Sequence, residues 1–377
     1  MTWENEKFHW NPTEIEPITS EGFRFLGFAK PERFFRHPGR PLMLIHSQPS
    51  LDTFSNVIYT PSSRTSKPFR GCLYDQELNR IEASCIKRGT TDLCLNADET
   101  HYSGEKDNLP FLDRTVLYLG AITSHYGHFL LESLSRWWPV PEYGSEFDHY
   151  LVHVSNPAVL EKPYVQMCLN ALKIDPRKII FFSEPTRIAK VIVPQAAIQG
   201  SSHIFTQYKM LCDSIAARYS EVTTTEQPLY LSRRLLTKGV RYYQGEEKLE
   251  ALLVDRGVRV VHPQLLPFDE QLRVINTHRH ILGIMGSAMH TIAFSVTPGK
   301  VVYLAPGWVH NNYFLIDSCT GLKSSYINAC DKNELLVYWT KLRNKIYRKL
   351  RNSDPFPVRY KLNIDAVTNR LKEAGYI

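Results

Sequence analysis

No Asp-x-Asp triplet occurs in this chain, so the paired carboxylates that commonly hold a metal ion against a diphosphate are missing. Its seven cysteines are scattered and never fall in a C-x-x-C spacing. Reduced thiols in a cytosolic protein fit them better than a zinc site or a disulfide framework. There is no G-x-G-x-x-G, no G-x-x-x-x-G-K-[ST] and no G-x-S-x-G. These absences speak against a dinucleotide fingerprint, a P-loop hydrolase and a nucleophile-elbow esterase. No apolar run approaches the roughly twenty residues that span a bilayer. The first residues, Met1 to Lys7, are polar and acidic, without the basic and apolar regions of a signal peptide. A soluble cytoplasmic protein is the expectation.

What is present is ordinary in bulk and informative in order. The 377 residues are 43% hydrophobic and 22% charged, enough for two domains. A net charge of +7 is mild and does not call for nucleic acid as a partner. The first hundred residues resist ordering. Beyond Arg114, apolar runs alternate with helical stretches: strands at 115–119, 150–154, 178–182 and 189–193, helices at 127–138, 158–172 and 205–219. A polar stretch closed by Pro228 then marks a boundary. After it come strands at 229–231, 258–261, 280–284 and 301–304, with helices at 246–256 and 268–277. That alternation predicts α/β architecture with parallel sheets. The division expected is 1–225, 226–330 and a helical C-terminal segment at 331–377.

Two anion-seeking features lie about fifty residues apart in the second half. Ser232, Arg233, Arg234, Lys238 and Arg241 follow the strand at 229–231, and guanidinium forks match phosphate oxygens two at a time. Gly286, Ser287 and Ala288 follow the strand at 280–284 and begin a helix, whose N-terminus favours anions. His290 lies one turn on. Alone, the first feature suits a solvated basic loop and the second an ordinary glycine turn. Together they suit a diphosphate.

A third candidate is the helix opening near His125. His128, Glu132 and Arg136 are spaced i, i+4, i+8 and so share a face of a regular helix. A histidine or a carboxylate there can serve as a general base. The competing reading is a Glu132–Arg136 salt bridge with His128 as a cap.

In order, Ser124-His125-Tyr126-Gly127-His128-Phe129-Leu130-Leu131-Glu132, Tyr230-Leu231-Ser232-Arg233-Arg234, Arg241, Gly245-Glu246-Glu247, Gly257-Val258, Val261-His262-Pro263, Glu270-Gln271 and Gly283-Ile284-Met285-Gly286-Ser287-Ala288 resemble glycosyltransferase family 61. That family includes many capsular polysaccharide biosynthesis proteins. The resemblance covers roughly residues 114–305. It implies a GT-B-like fold: two Rossmann-like α/β domains facing each other across a cleft, with C-terminal helices packing back on the first. It also implies a nucleotide-sugar donor held mainly by the second domain, and inversion at the anomeric carbon without an essential metal or other cofactor. Met285 stands where many members have His, and Thr291 where many have Asn. Backbone contacts from Gly286, Ser287 and Ala288 therefore carry over, and side-chain contacts at those two positions do not.

The resulting expectation is an inverting transferase that adds a sugar to a growing capsule- or lipopolysaccharide-type glycan. His128 or Glu132 is the base, and His125 and Arg136 hold the acceptor. Ser232, Arg233, Arg234, Lys238, Arg241, Gly286, Ser287, Ala288 and His290 hold the donor. A basic amphipathic stretch at 334–351 suits either peripheral contact with the inner membrane, and so a lipid-linked acceptor, or packing against a core. A non-catalytic nucleotide- or glycan-binding subunit and a phosphosugar transferase are the competing functions.

Overall fold

The computed structural model describes residues 14–35, 41–62, 71–88, 93–95, 100–219, 223–239, 241–297, 299–330 and 358–377. The amphipathic stretch at 334–351 lies outside them. The chain divides into two compact units: Met1–Ile18, His37–Tyr219 and Phe314–Cys319 in the first, Thr19–Arg36, Ser220–Tyr313 and Thr320–Ile377 in the second. Residues Thr19–Arg36 thus join the second unit, although the sequence division put them in the first domain. The reason is strand pairing: Arg24–Leu26 adds in parallel to Lys323–Asn328.

The first unit is built on a six-stranded sheet ordered 179–180, 149–153, 111–121, 186–194, 51–59, 73–74. Its first four strands run parallel and the last two pair antiparallel. Val116, Leu117, Tyr118 and Leu119 are fully buried in the central strand. Near that strand's end Gly120 takes φ +84°, and a Cβ there would meet Arg136 Cδ at 3.0 Å. A second sheet of four short strands includes Ile15–Ile18, Leu42–Ile45 and His203–Phe205. The helix expected at 158–172 begins only at Pro163, whose fixed φ suits a first helical turn.

The second unit holds a six-stranded sheet, parallel throughout, ordered 259–261, 229–231, 280–284, 300–305, 323–328, 24–26. Its first strand in the Ser220–Tyr313 stretch, Leu229–Leu231, has the next strand on one side and the third on the other. The order 2-1-3-4-5 reverses direction at that point, and ligands of open α/β sheets bind outside the carboxyl ends of the strands at such a reversal. Across the sheet Gly283, Tyr303, Tyr326 and Phe25 are in register. Tyr303 and Tyr326 stack at 4.9 Å and Tyr326 and Phe25 at 5.4 Å. Gly283 has no side chain because Met289 Sδ sits 2.2 Å from where its Cβ would be. That gap lets the segment after the strand pack down on the sheet.

Of the expected C-terminal helices, the described part is a strand, Val358–Lys361, and one helix, Ile364–Glu373. The strand pairs in parallel with Arg241–Gln244. Asn363 caps the helix by accepting from Ala366 N–H at 3.0 Å. Its buried face, Val367 and Leu371, joins Leu249, Leu253, Leu282 and Val302 in the second unit's core. This helix belongs to the second unit, because its apolar stripe completes that core. Tyr376 then ties two strands together at their amino ends, donating to Leu229 O at 2.7 Å and reaching His280 O at 3.1 Å. Leu371→Ala should lower unfolding free energy by about 2–5 kcal/mol, read from urea midpoints. A loss below about 1 kcal/mol would show that the helix is not part of that core.

Candidate functional site

The carboxyl edge of the parallel sheet gathers the two anion-seeking features of the sequence. After Leu231 the chain turns through Ser232, Arg233 and Arg234, and after Ile284 it passes Met285 and Gly286. Arg233 joins them. Its guanidinium donates to Met285 O at 3.2 Å and to Arg241 O at 2.9 Å, and lies 5.2 Å from the Tyr243 ring centre. A guanidinium has five N–H donors, so these two bonds leave three for another acceptor. The Met285 contact is made by the main chain, so the residue that departs from the family pattern still supplies it.

The loop of Arg233 is positioned by two carboxylates, Glu246 of the Gly245-Glu246-Glu247 motif and Glu250, which the sequence did not single out. Glu246, in the first turn of the helix Glu246–Asp255, accepts from Arg233 N–H at 2.9 Å and Tyr230 Oη at 2.9 Å. Glu250, one turn on, takes the Arg234 Nε–H at 2.6 Å. Ser232 is buried between them, its one hydroxyl proton donated to Glu250 with Glu246 Oε1 also within 3.2 Å, and it accepts from Arg234 N–H. Ser232 thus organises the loop instead of reaching a donor, a correction to its expected role. Its hydroxyl is consumed by buried carboxylates that need partners. The one hint of this in the sequence is the i, i+4 pairing of Glu246 and Glu250, which places both on one helix face.

Burial raises the Glu246 pKa, while the Arg233 N–H, the Tyr230 hydroxyl and the Arg233 charge work against that rise. Arg234 and Lys238 are exposed. Arg241 begins the strand Arg241–Gln244 and lies over the Trp308 ring at 4.6 Å. Arg233, Arg234, Arg241 and Tyr243 border a small recess of about 10 Å³.

The expected helix start at Gly286 is a 3-10 helix, Ser287–Phe294, rather than an α-helix. Met289 N–H already bonds Gly286 O at 3.0 Å, so Ser287 and Ala288 carry the leading amides that the helix cannot satisfy itself. A Cβ on Gly286 would come within 2.8 Å of Arg233 Nη1. Tyr313 Oη donates to Gly286 O at 3.1 Å and its ring lies 5.0 Å from His290. Thr291 is buried.

In the first unit the segment after the central strand is not one regular helix. An α-turn at Tyr126–His128 passes into a π-turn at Phe129–Ser133 and a 3-10 turn at Leu134–Arg136. Side chains bound to the adjacent main chain hold this shape. Ser133 Oγ donates to Ala121 O at 2.8 Å and Trp137 Nε1 to Leu119 O at 3.1 Å. The π-turn shifts the register, so Arg136 leaves the face shared by His128 and Glu132.

Arg136 is buried and donates to Pro194 O at 2.5 Å and Cys85 O at 2.8 Å. It therefore anchors the segment from inside, and in place of the competing Glu132–Arg136 bridge the structure has a different pair. His128 Nδ1 and Glu132 Oε1 are 2.9 Å apart, with the histidine side chain 42% exposed and the carboxylate 13%. A carboxylate accepts at Nδ1, which fixes the proton there and leaves Nε2 as the basic nitrogen. His125 is exposed, with its ring 4.8 Å from that of His128.

The sequence model of the family described as Glycosyltransferase 61 matches residues 126–303. The match spans just under half of the chain and makes those residues similar to glycosyltransferase family 61. The matched stretch contains both the His128–Glu132 pair and the strand-end features at 232–241 and 286–290, whereas His125 and Trp308 fall outside it. The match supports glycosyltransferase activity in general, and with it a donor and an acceptor substrate. No match was found among curated proteins. Among the described residues no helix is long and apolar enough to cross a membrane.

Glu246 gives a stability signature that depends on pH. Its folded pKa is raised, so the folded chain keeps a proton that the unfolded chain has already lost. Stability should fall as pH rises from the unfolded value through the folded one. Urea midpoints over that window should show this slope in the native chain and a flatter one in Glu246→Gln. An unchanged slope would contradict the assignment. Glu246→Ala, which strands buried donors, should lose about 1–3 kcal/mol.

Proposed function

We propose that this chain is an inverting, metal-independent glycosyltransferase of GT-B arrangement. It moves a sugar from a nucleotide-diphosphate donor to a growing surface glycan of capsule or lipopolysaccharide type. The observation that carries the reading is Arg233, whose guanidinium joins two strand ends at the reversal point of a parallel sheet and keeps three donors for an anion. Its neighbours Arg234 and Lys238 are exposed, and the leading amides of Ser287 and Ala288 follow the adjoining strand. This is the donor set a leaving diphosphate requires when charge develops on its bridging oxygen. Without an Asp-x-Asp carboxylate pair in the sequence, arginine, lysine and backbone amides are the groups available for it. Arg241 and His290 border the same strand ends and complete the donor-binding set.

His128 is the base and Glu132 its orienting partner. His128 Nε2 takes the proton of the acceptor hydroxyl as that oxygen attacks the anomeric carbon. The bond from that carbon to the diphosphate then breaks on the opposite face, so the configuration inverts. Glu132, the less exposed of the two, holds the imidazole tautomer and stabilises the imidazolium that forms. In this reading His125, exposed beside His128, contacts the acceptor. The reading calls for no cofactor beyond the donor. It places the chain in the cytoplasm with a glycan or lipid-linked glycan as acceptor, and contact with the inner face of the membrane is part of the same proposal.

Two experiments test it. Arg233→Ala should weaken binding of nucleoside diphosphates by on the order of tenfold to a hundredfold, the worth of one or two charged hydrogen bonds. Thermal shift against a nucleoside diphosphate panel reads this, and equal shifts in native and variant chains would remove Arg233 from the site. For turnover of a sugar nucleotide, His128→Ala should lower kcat by about 10²- to 10⁴-fold, and Glu132→Gln should lower it less. A His128→Ala chain with full turnover would end the base assignment, and loss of turnover on chelation would end the metal-free one.

A further inference from the structure

Away from both constellations, two cysteines of the first unit lie together. Cys72 Sγ and Cys85 Sγ are 3.9 Å apart, and both residues are buried. They come from separate elements. Cys72 follows Gly71, which takes φ +108° with no room for a Cβ against Ser62 N and Pro61. Its main chain is pinned to Thr60, through Thr60 N–H to Cys72 O and Cys72 N–H to Thr60 Oγ1, both at 2.9 Å. Cys85 ends the 3-10 turn Glu82–Ser84, its N–H bonded to Glu82 O at 3.2 Å.

The carbonyl of Cys85 is one of the two that hold the Arg136 guanidinium, and Arg136 closes the helical segment that begins with His128 and Glu132. The hydrogen bond from Cys72 lowers the Cys85 thiol pKa, and the charges of Arg80 and Arg136 act in the same direction against burial. A thiol with that environment and a second thiol in reach differs from an inert core cysteine.

We propose that Cys72 and Cys85 form a reversible disulfide on oxidation by peroxide, and that the bond acts through Arg136 on the His128–Glu132 turn. The Cys85 thiolate attacks one peroxide oxygen, the O–O bond breaks, and a sulfenic acid and hydroxide result. The Cys72 sulfur then attacks the Cys85 sulfur and the sulfenic oxygen leaves as water. Each sulfur loses one electron and peroxide is reduced to two molecules of water. A dithiol reductant returns both electrons. A disulfide bond is about 2.05 Å long, so the sulfurs must close by roughly 2 Å. Cys85, at the end of a short 3-10 turn, shares in that movement and carries its carbonyl with it. Arg136, fixed at its other end by Pro194 O and packed over Gly120, passes that displacement to the segment it closes.

The test needs no substrate and does not rest on the catalytic role of His128. The full chain is treated with hydrogen peroxide, alkylated and mapped without reduction, while the ring signals of His128 are followed by NMR and assigned with His128→Gln. A Cys72–Cys85 linked peptide is expected, with a shift of the His128 signal that reverts under dithiothreitol and is absent in Cys72→Ser. Recovery of both cysteines alkylated, or sulfinic acid without a link, overturns the proposal. So does a linked peptide with an unmoved His128 signal, or a shift that persists in Cys72→Ser. The native chain alone decides the first three outcomes if the serine variant does not fold.

Discussion

One guanidinium holds the candidate donor edge in shape. Arg233 reaches from the end of one parallel strand to the main-chain oxygen at the end of its neighbour, and to Arg241 across the loop. A cation in that position must be kept from collapsing onto a carboxylate. Here Glu246 binds the Arg233 main chain instead of its side chain, and Glu250 takes Arg234. The buried acids therefore order the loop while Arg233 keeps donors for an anion. Gly286 allows the close approach, since a side chain there would press on the same guanidinium. Preorganised donors of this kind stabilise developing charge with little reorganisation at the moment of reaction.

The first unit carries the proposed base on a segment buried almost all round. Phe129, Leu130, Leu134 and Trp137 are fully buried, and Ser133 and Trp137 are tied to main-chain oxygens of the central strand. These ties impose the π-turn and 3-10 turn, and they leave His128 partly exposed with Glu132 beneath it. Arg136 closes the segment from inside. The proposed sensitivity to peroxide has its physical route through that same side chain.

Much of the second unit was legible from the order of apolar runs and helical stretches. The strands at 229–231 and 280–284 and the helix Phe268–Thr277 stand where the sequence places them. Strand Arg24–Leu26 was not legible, because three residues carry no periodicity and its partner is some three hundred residues away. The helix Asn311–Thr320 and strand Lys323–Asn328 were also missed. At the site, spacing brings His128 beside Glu132, as the structure does, but it also puts Arg136 on their face, whereas that side chain is buried. Residue type shows that a side chain can bind an anion or a hydroxyl, whereas burial decides whether it is already engaged. The π-turn that turned Arg136 inward comes from long-range ties that local spacing does not contain.

The most direct measurement follows backbone amide signals by NMR as a nucleoside diphosphate is titrated into the chain, with the matching nucleoside as control. Perturbations centred on the amides of Ser287 and Ala288 and on Arg233, present with the diphosphate and absent with the nucleoside, are expected. Perturbations that leave those three residues unmoved, or that are the same with the nucleoside, would contradict a diphosphate site at the sheet's reversal point.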